Sequence, residues 1–154
     1  MSDTRIIPFR PEHAGAWSAL NEAWLAEGGF SVEARDRAVI DDPQTTILDT
    51  GGRIFIAEGD GEPVGCCALM TMADGGYEVA KMTVPPAARG LGLGRRLLEA
   101  CEAAARAAGA PRLYLETSST LTPAGALYRS FGFVDLPPRA SPYARADVFM
   151  EKRL

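Results

Sequence analysis

Where the run Arg89-Gly90-Leu91-Gly92-Leu93-Gly94 stands, the hydrophobic pattern of the chain changes period from two to about 3.6. Ahead of it, apolar residues come in short blocks separated by turn formers. Arg53 to Glu58 and Pro63 to Met72 are joined by Gly59-Asp60-Gly61-Glu62, and Tyr77 to Val84 follows a second turn at Ala73-Asp74-Gly75-Gly76. These read as three strands of an antiparallel meander, closed by Pro85-Pro86. Beyond the glycines, Leu97, Leu98, Cys101, Ala104, Ala105 and Ala108 share one face of a helix that Gly109 ends. A glycine-rich turn between a strand and a helix lets the backbone approach a ligand and aims free N–H groups at one point. The first helical turn adds more donors and a partial positive charge. That is a phosphate site, and a pyrophosphate suits it. Arg89, Arg95 and Arg96 add positive charge around it.

The remaining elements follow from the same rules. Arg5 to Arg10 reads as a short strand, and Pro11 to Glu27 as a helix carrying Trp17, Leu20 and Trp24 and stopped by Gly28-Gly29. Ser31 can cap a second helix over Val32 to Asp41, with Pro43 beyond it. After the long helix come a strand at Arg112 to Glu116, a short helix at Pro123 to Ser130, and strands at Phe133 to Leu136 and Asp147 to Lys152. A meander, one strand–helix–strand unit and a closing strand imply an α/β fold with a mixed, mostly antiparallel central sheet flanked by helices. No repeat or linker divides residues 1–154, so a single domain is expected.

Composition narrows the partners. A formal charge of −4 without clustered cations gives no footprint for nucleic acid or an anionic membrane. The opening MSDTRIIPFR lacks the apolar run of a signal peptide, and no stretch approaches the roughly 18 apolar residues of a membrane span. Cys66 and Cys67 are adjacent and would face opposite ways on a strand, while Cys101 lies in the helix. These three read as reduced core residues of a cytoplasmic protein. One histidine, His13, and no CxxC leave too few ligands for zinc, and no metal is expected.

Two phosphate motifs fail at the glycine loop. A Walker loop needs Lys-Ser or Lys-Thr after its glycines, and a dinucleotide fingerprint starting at Gly90 or Gly92 would place Arg95 or Leu97 where the last glycine belongs. The spacing Arg-x-x-Gly-x-Gly, with Arg89, Gly92 and Gly94 at the defining positions, instead resembles the acetyl-CoA signature of the GCN5-related N-acetyltransferases (GNAT). The resemblance extends to the strand Tyr77-Glu78-Val79-Ala80-Lys81-Met82-Thr83-Val84 before the loop. It includes the later segment Ala124-Gly125-Ala126-Leu127-Tyr128-Arg129-Ser130-Phe131-Gly132-Phe133, and the element order over nearly the whole chain.

The resemblance implies a GNAT-like fold, acetyl-CoA as cosubstrate and an amine as acceptor. It implies that the pantetheine arm lies along the strand at Met82, Thr83 and Val84, with backbone groups of Met82 and Val84 hydrogen-bonding it as an added strand would. Residues Arg89, Gly90, Leu91, Gly92, Leu93 and Gly94 would hold the pyrophosphate, with donors from Arg95 in reach. Tyr128 resembles the tyrosine that donates to the departing sulfur. Glu78, read by period-two alternation as sharing a face with Ala80 and Met82, resembles a glutamate that takes the amine proton through water, and Glu116 competes for that role. Where many relatives have an asparagine seven residues before the tyrosine, this chain has Leu121, for which Ser118, Ser119 or Thr122 could substitute. The acceptor pocket would be built from Trp17 to Ile40 and Pro137 to Asp147, with Phe30, Tyr143 and Arg145 lining it and Trp17 and Trp24 in the core. The run Pro137 to Tyr143 reads as a loop. An active N-acetyltransferase is the leading expectation, and a catalytically inactive acyl-CoA-binding or interaction module with the same fold is the alternative. The resemblance permits a homodimer without requiring one.

Overall fold

Turn chemistry folds the first half of the chain as expected. In the computed structural model, which describes residues 3–154, the meander consists of β2 (Arg53–Gly59), β3 (Glu62–Thr71) and β4 (Tyr77–Thr83). Met1 and Ser2, included in the single-domain expectation, lie outside the described residues. β1 (Thr4–Pro8) pairs antiparallel with β2, and β5 (Arg112–Thr117) returns parallel to β4 after α3 (Leu93–Ala107). β7 (Val148–Arg153) is antiparallel to β5, and β6 (Val134–Asp135) closes the edge beyond it. The seven-stranded sheet has the order β1-β2-β3-β4-β5-β7-β6. Among the described residues no helix is long and apolar enough to cross a membrane.

Both faces of the sheet are covered. α3 presents Leu93, Leu97, Leu98, Cys101 and Ala105 to Cys67, Leu69, Val79 and Leu113, and α4 (Thr122–Ser130) joins the same core through Tyr128. On the opposite face Trp17 of α1 (Ala14–Gly28) and Val39 of α2 (Ala34–Asp41) cover Ile54, Ile56, Cys66 and Ala68. Each fully buried Leu or Ile removes enough apolar surface to contribute about 1.5–3 kcal/mol. Cys66 and Cys67 do face opposite ways; all three thiols are free and buried, with the sulfurs of Cys67 and Cys101 3.7 Å apart.

Three expectations shift. α1 is preceded by a separate 3-10 turn at Pro11–His13, in which the buried His13 Nδ1 accepts the Arg10 N–H at 2.8 Å. α2 begins at Ala34 rather than Val32. Ser31 does not cap it, because Glu33 and Asp36 form a reciprocal capping box in which Asp36 accepts the Glu33 N–H at 2.9 Å. β6 shrinks from the expected Phe133 to Leu136 to two residues, since Phe133 is pulled into the core beside Tyr128.

The decisive irregularity is in β4. Between Cys66↔Thr83 and Ala68↔Ala80, β3 advances two residues and β4 three, so β4 carries a bulge. Within it Lys81 has φ +53°, a left-handed conformation unfavourable for a residue with a Cβ. The bulge breaks the alternation assumed from the sequence. Met82 packs with the α3 core, whereas Thr83 turns toward Cys66 on the α1 side, so Glu78 and Met82 do not share a face.

What holds the bulge is a buried ion cluster. Asp36 is fully buried; one of its oxygens takes the Lys81 ammonium at 2.5 Å, and both accept the Arg145 guanidinium, at 2.9 and 2.6 Å. Burial alone would raise the Asp36 carboxyl, but hydrogen bonds from Arg145, Lys81 and the Glu33 N–H outweigh it and hold it well below the usual carboxylate range. Asp36→Asn leaves two cations facing a neutral amide. It is expected to lose about 3–5 kcal/mol of unfolding free energy in urea. A carboxyl depressed in the folded state stabilises above its unfolded value, near 4, and that stability fades as pH falls below it. The variant should therefore show a shallower loss of stability below about pH 4 than the parent.

Candidate functional site

β4 and β5 pair only at Tyr77↔Leu113 and Glu78↔Tyr114; beyond those pairs the strands separate. The gap opens into a cavity of about 680 Å³. One wall is the parted edge of β4, from Glu78 through Lys81 and Met82 to Val84. The facing wall is β5 and its following turn, with Leu115, Glu116, Ser118, Thr120 and Leu121. The cavity runs from the start of α3 to the residues around Glu78, and both ends carry polar groups.

At the first end, α3 starts on Gly92, whose φ of +72° allows the loop to turn directly into the helix without a capping side chain. Arg96 is the first residue whose N–H reaches a helical carbonyl, that of Gly92 at 3.1 Å. The N–H groups of Leu93, Gly94 and Arg95 ahead of it have no helical acceptor. A Cβ added at Gly90 or Gly92 would meet nothing within 4 Å, so the turn is open rather than packed over. This end can hold an anion with main-chain donors and the helix dipole.

The loop residues divide. Arg89, Gly90, Gly92, Leu93, Gly94 and Arg95 line the cavity. Leu91 does not, its side chain being 43% exposed. Thr83 is absent from the lining as well, turned by the bulge toward the α1 core. Arg96 points away and donates to Thr4 of β1. Arg89 lies across the opening: its guanidinium pairs with Glu27 of α1 at 2.8 and 2.6 Å, and its Nε donates to the Val84 carbonyl at 2.9 Å.

Tyr128 reaches the cavity from α4, whose first turn carries Pro123. Its ring is held edge-on against Phe133. Among the described residues no hydrogen bond engages its hydroxyl, and burial pushes the phenol up, so it stays protonated at neutral pH as a donor. Leu121 lines the cavity with Ser118 and Thr120, whose hydroxyls share a 2.8 Å hydrogen bond. Ser119 instead caps Asp147 and Thr122 is not in the lining, so neither supplies a group at the asparagine position.

At the far end stand Glu78 and Glu116. Glu78 has no hydrogen-bond or ion-pair partner among the described residues; burial, and then the charge of Glu116, push it up to about 7. A carboxyl so placed can accept a proton at neutral pH. Trp24, Tyr143 and Arg145 complete this end. Trp17 is core, as expected, but Trp24 is a wall residue that packs on Phe30 at 5.3 Å. Arg145 lies over the rings of Tyr143, Phe30 and Trp24, at 4.4, 5.6 and 5.7 Å. The sequence contained a signal for Lys81, a lone cation within an apolar strand, but none for Asp36, its partner 45 residues away.

Comparison with known proteins agrees with this architecture. A model described as the acetyltransferase (GNAT) family matches residues 16–133. An IAA acetyltransferase from Azospirillum brasilense is 47% identical over 105 residues, which is 66% of this chain and 68% of that protein. The chain spans only 15% to 45% of the length of other curated relatives it matches. A crystal structure of a GNAT-family acetyltransferase from Staphylococcus aureus Mu50 superposes with a TM-score of 0.89 at 18% identity, covering 98% of this chain and 99% of that one. The PaiA N-acetyltransferase of Thermoplasma acidophilum, solved with coenzyme A, superposes at 0.78 with 16% identity over 99% of each chain.

If the open turn at Gly92 is the anion site, coenzyme A should raise the thermal midpoint of the parent protein. Gly92→Val should weaken binding at least 10-fold by calorimetry, since a β-branched residue resists φ +72° and would stand among the donors. Equal affinity in the variant would place the anion elsewhere.

Proposed function

The chain belongs to the acetyltransferase (GNAT) family, and we propose that it moves the acetyl group of acetyl-CoA to the primary amine of a small molecule or peptide, by direct attack in a ternary complex. In this reading residues 1–154 act as a single N-acetyltransferase domain. The observation that carries it is one continuous cavity with unpaired helix amides at one end of β4, Glu78 at the other, and Tyr128 facing the same space from α4. Two of these groups would be idle in a protein that only used the fold as scaffold.

The diphosphate of acetyl-CoA would sit on the N–H groups of residues 90–95. The Arg89–Glu27 pair is solvent-exposed and worth about 0–1 kcal/mol, so Arg89 can exchange Glu27 for a phosphate at little cost. The arm would run along β4 past Met82 to Val84, where β5 no longer supplies partners, with Thr83 contributing only backbone. No metal is required. The acceptor amine would approach from the Trp24–Tyr143 end. Glu78 takes its proton, directly or through water, and the neutral nitrogen attacks the thioester carbonyl. As the carbon–sulfur bond breaks, the Tyr128 hydroxyl donates to the sulfur; a thiol near 8.5 is a moderate leaving group and needs only modest help. The free, buried thiols suit a reducing compartment, and we place the enzyme in the cytoplasm.

Thiol release from acetyl-CoA across polyamines, amino acids, aminoglycosides and peptide N-termini tests the activity. Tyr128→Phe should lower kcat by roughly 10- to 1000-fold, with KM for acetyl-CoA changed only a few-fold. An unchanged kcat removes the role, and binding of acetyl-CoA without release to any amine would favour a non-catalytic module. Glu78 is protonated below its raised value and ionised above it. The rate of the parent enzyme should therefore fall as pH drops through about 7, and Glu78→Gln should abolish that limb.

A further inference from the structure

Glu116 presents a different picture from its neighbour. It lies two residues beyond Tyr114, the partner of Glu78 in the last β4–β5 pair, and so on the same face of the parted strands. Both carboxylates line the cavity. Glu78 has no partner, whereas both oxygens of Glu116 are taken: the Tyr114 hydroxyl donates to one at 2.8 Å and the Ser141 hydroxyl to the other at 2.5 Å. Ser141 is itself held, its oxygen accepting the Tyr143 N–H at 3.1 Å. Glu78 is free to meet an incoming group, whereas Glu116, with both oxygens engaged, is held in place. No Lys or Arg among the described residues forms an ion pair with it.

The other charged groups near Glu78 cancel or are screened. From β4 comes Lys81 and from the 137–147 segment Arg145, but both are bound by Asp36 of α2. Arg35 of α2 acts on Glu78 from an exposed position. Tyr143 and Tyr114 are phenols that burial pushes up, so they are neutral at working pH, and Arg139 is stacked on the Tyr114 ring at 5.7 Å. Exposed Arg35 and the Asp36-bound Lys81 oppose the rise at Glu78, and among the described residues Glu116 is the carboxylate whose charge acts on it.

We propose that Glu116 is a positioning residue: a carboxylate locked by Tyr114 and Ser141 that sets the protonation of Glu78 by standing unneutralised across the cleft from it. The burial of Glu78 and the charge of Glu116 act in the same direction, which agrees with a value of about 7 for Glu78. The loop of residues 137–147 then does more than wall the acceptor end, because Ser141 ties the base's environment to that loop. The proposal rests on Glu78 as the proton acceptor for its catalytic meaning, but not for its test.

The test uses the ligand-free protein with glutamate labelled by 13C at the side-chain carboxyl, the Glu78 resonance being assigned with Glu78→Gln. In the parent protein Glu78 should titrate with a midpoint near 7. In Glu116→Gln the midpoint should fall by about one pH unit, while Glu116→Asp, which keeps the anion, should retain at least half of the elevation. A Glu78 midpoint unmoved in a folded Glu116→Gln overturns the proposal; should that variant not fold, an unmoved midpoint in Glu116→Ala overturns it equally. Undiminished thiol release by Glu78→Gln would instead defeat the base assignment and leave this titration standing.

Discussion

The buried ion pair between Asp36 and Lys81 keeps β4 in a conformation that an L-residue avoids, and the cleft depends on it. A left-handed residue within a strand costs on the order of 1–3 kcal/mol and persists only where surrounding contacts over-determine it. Here Asp36 anchors the Lys81 side chain from α2, and Arg145 closes the cluster from the far side of the sheet's open edge. The bulge sends β4 away from β5 after a two-residue pairing, so the strand keeps unpaired backbone along the cavity while the sheet continues around it. The same cluster that offsets the strain also holds Arg145 over Tyr143 and Trp24 at the Glu78 end of the cavity.

Polarity divides the cavity into two chemically different halves. Around Gly92 the groups are donors, main-chain amides with a helix dipole behind them, suited to a ligand that arrives negative. Around Glu78 stand two carboxylates that have no ion-pair partner among the described residues, suited to a cationic ligand. Tyr128 faces the space they share, protonated and without a hydrogen-bond partner for its hydroxyl among the described residues. In the transfer proposed above, this separation keeps the donor and acceptor ends from competing for each other's counter-ions.

What could be read from the sequence was local. The glycine turn, the long apolar face of α3 and the meander each depend on residues within a few positions of one another, and all three stand where they were expected. Features set by distant partners were hidden. Straight alternation through Lys81, where no glycine marks the bulge, puts Met82 and Thr83 on the wrong faces. Asp36, within the expected helix of Val32 to Asp41, is fully buried because Lys81 and Arg145, 45 and 109 positions away, converge on it. Arg89 was grouped with the loop cations, yet it is tied to Glu27 at a separation of 62 residues. Composition could not show that Trp24 walls the cavity while Trp17, a similar residue two turns earlier, is core.

Where coenzyme A sits decides whether the open turn at Gly92 and Tyr128 serve one reaction. A crystal structure of the protein with coenzyme A should show diphosphate oxygens about 3 Å from main-chain nitrogens of residues 90–95, the arm along Met82 to Val84, and the thiol facing the Tyr128 hydroxyl. Diphosphate bound away from the start of α3, or a Tyr128 hydroxyl turned from the sulfur, would contradict it.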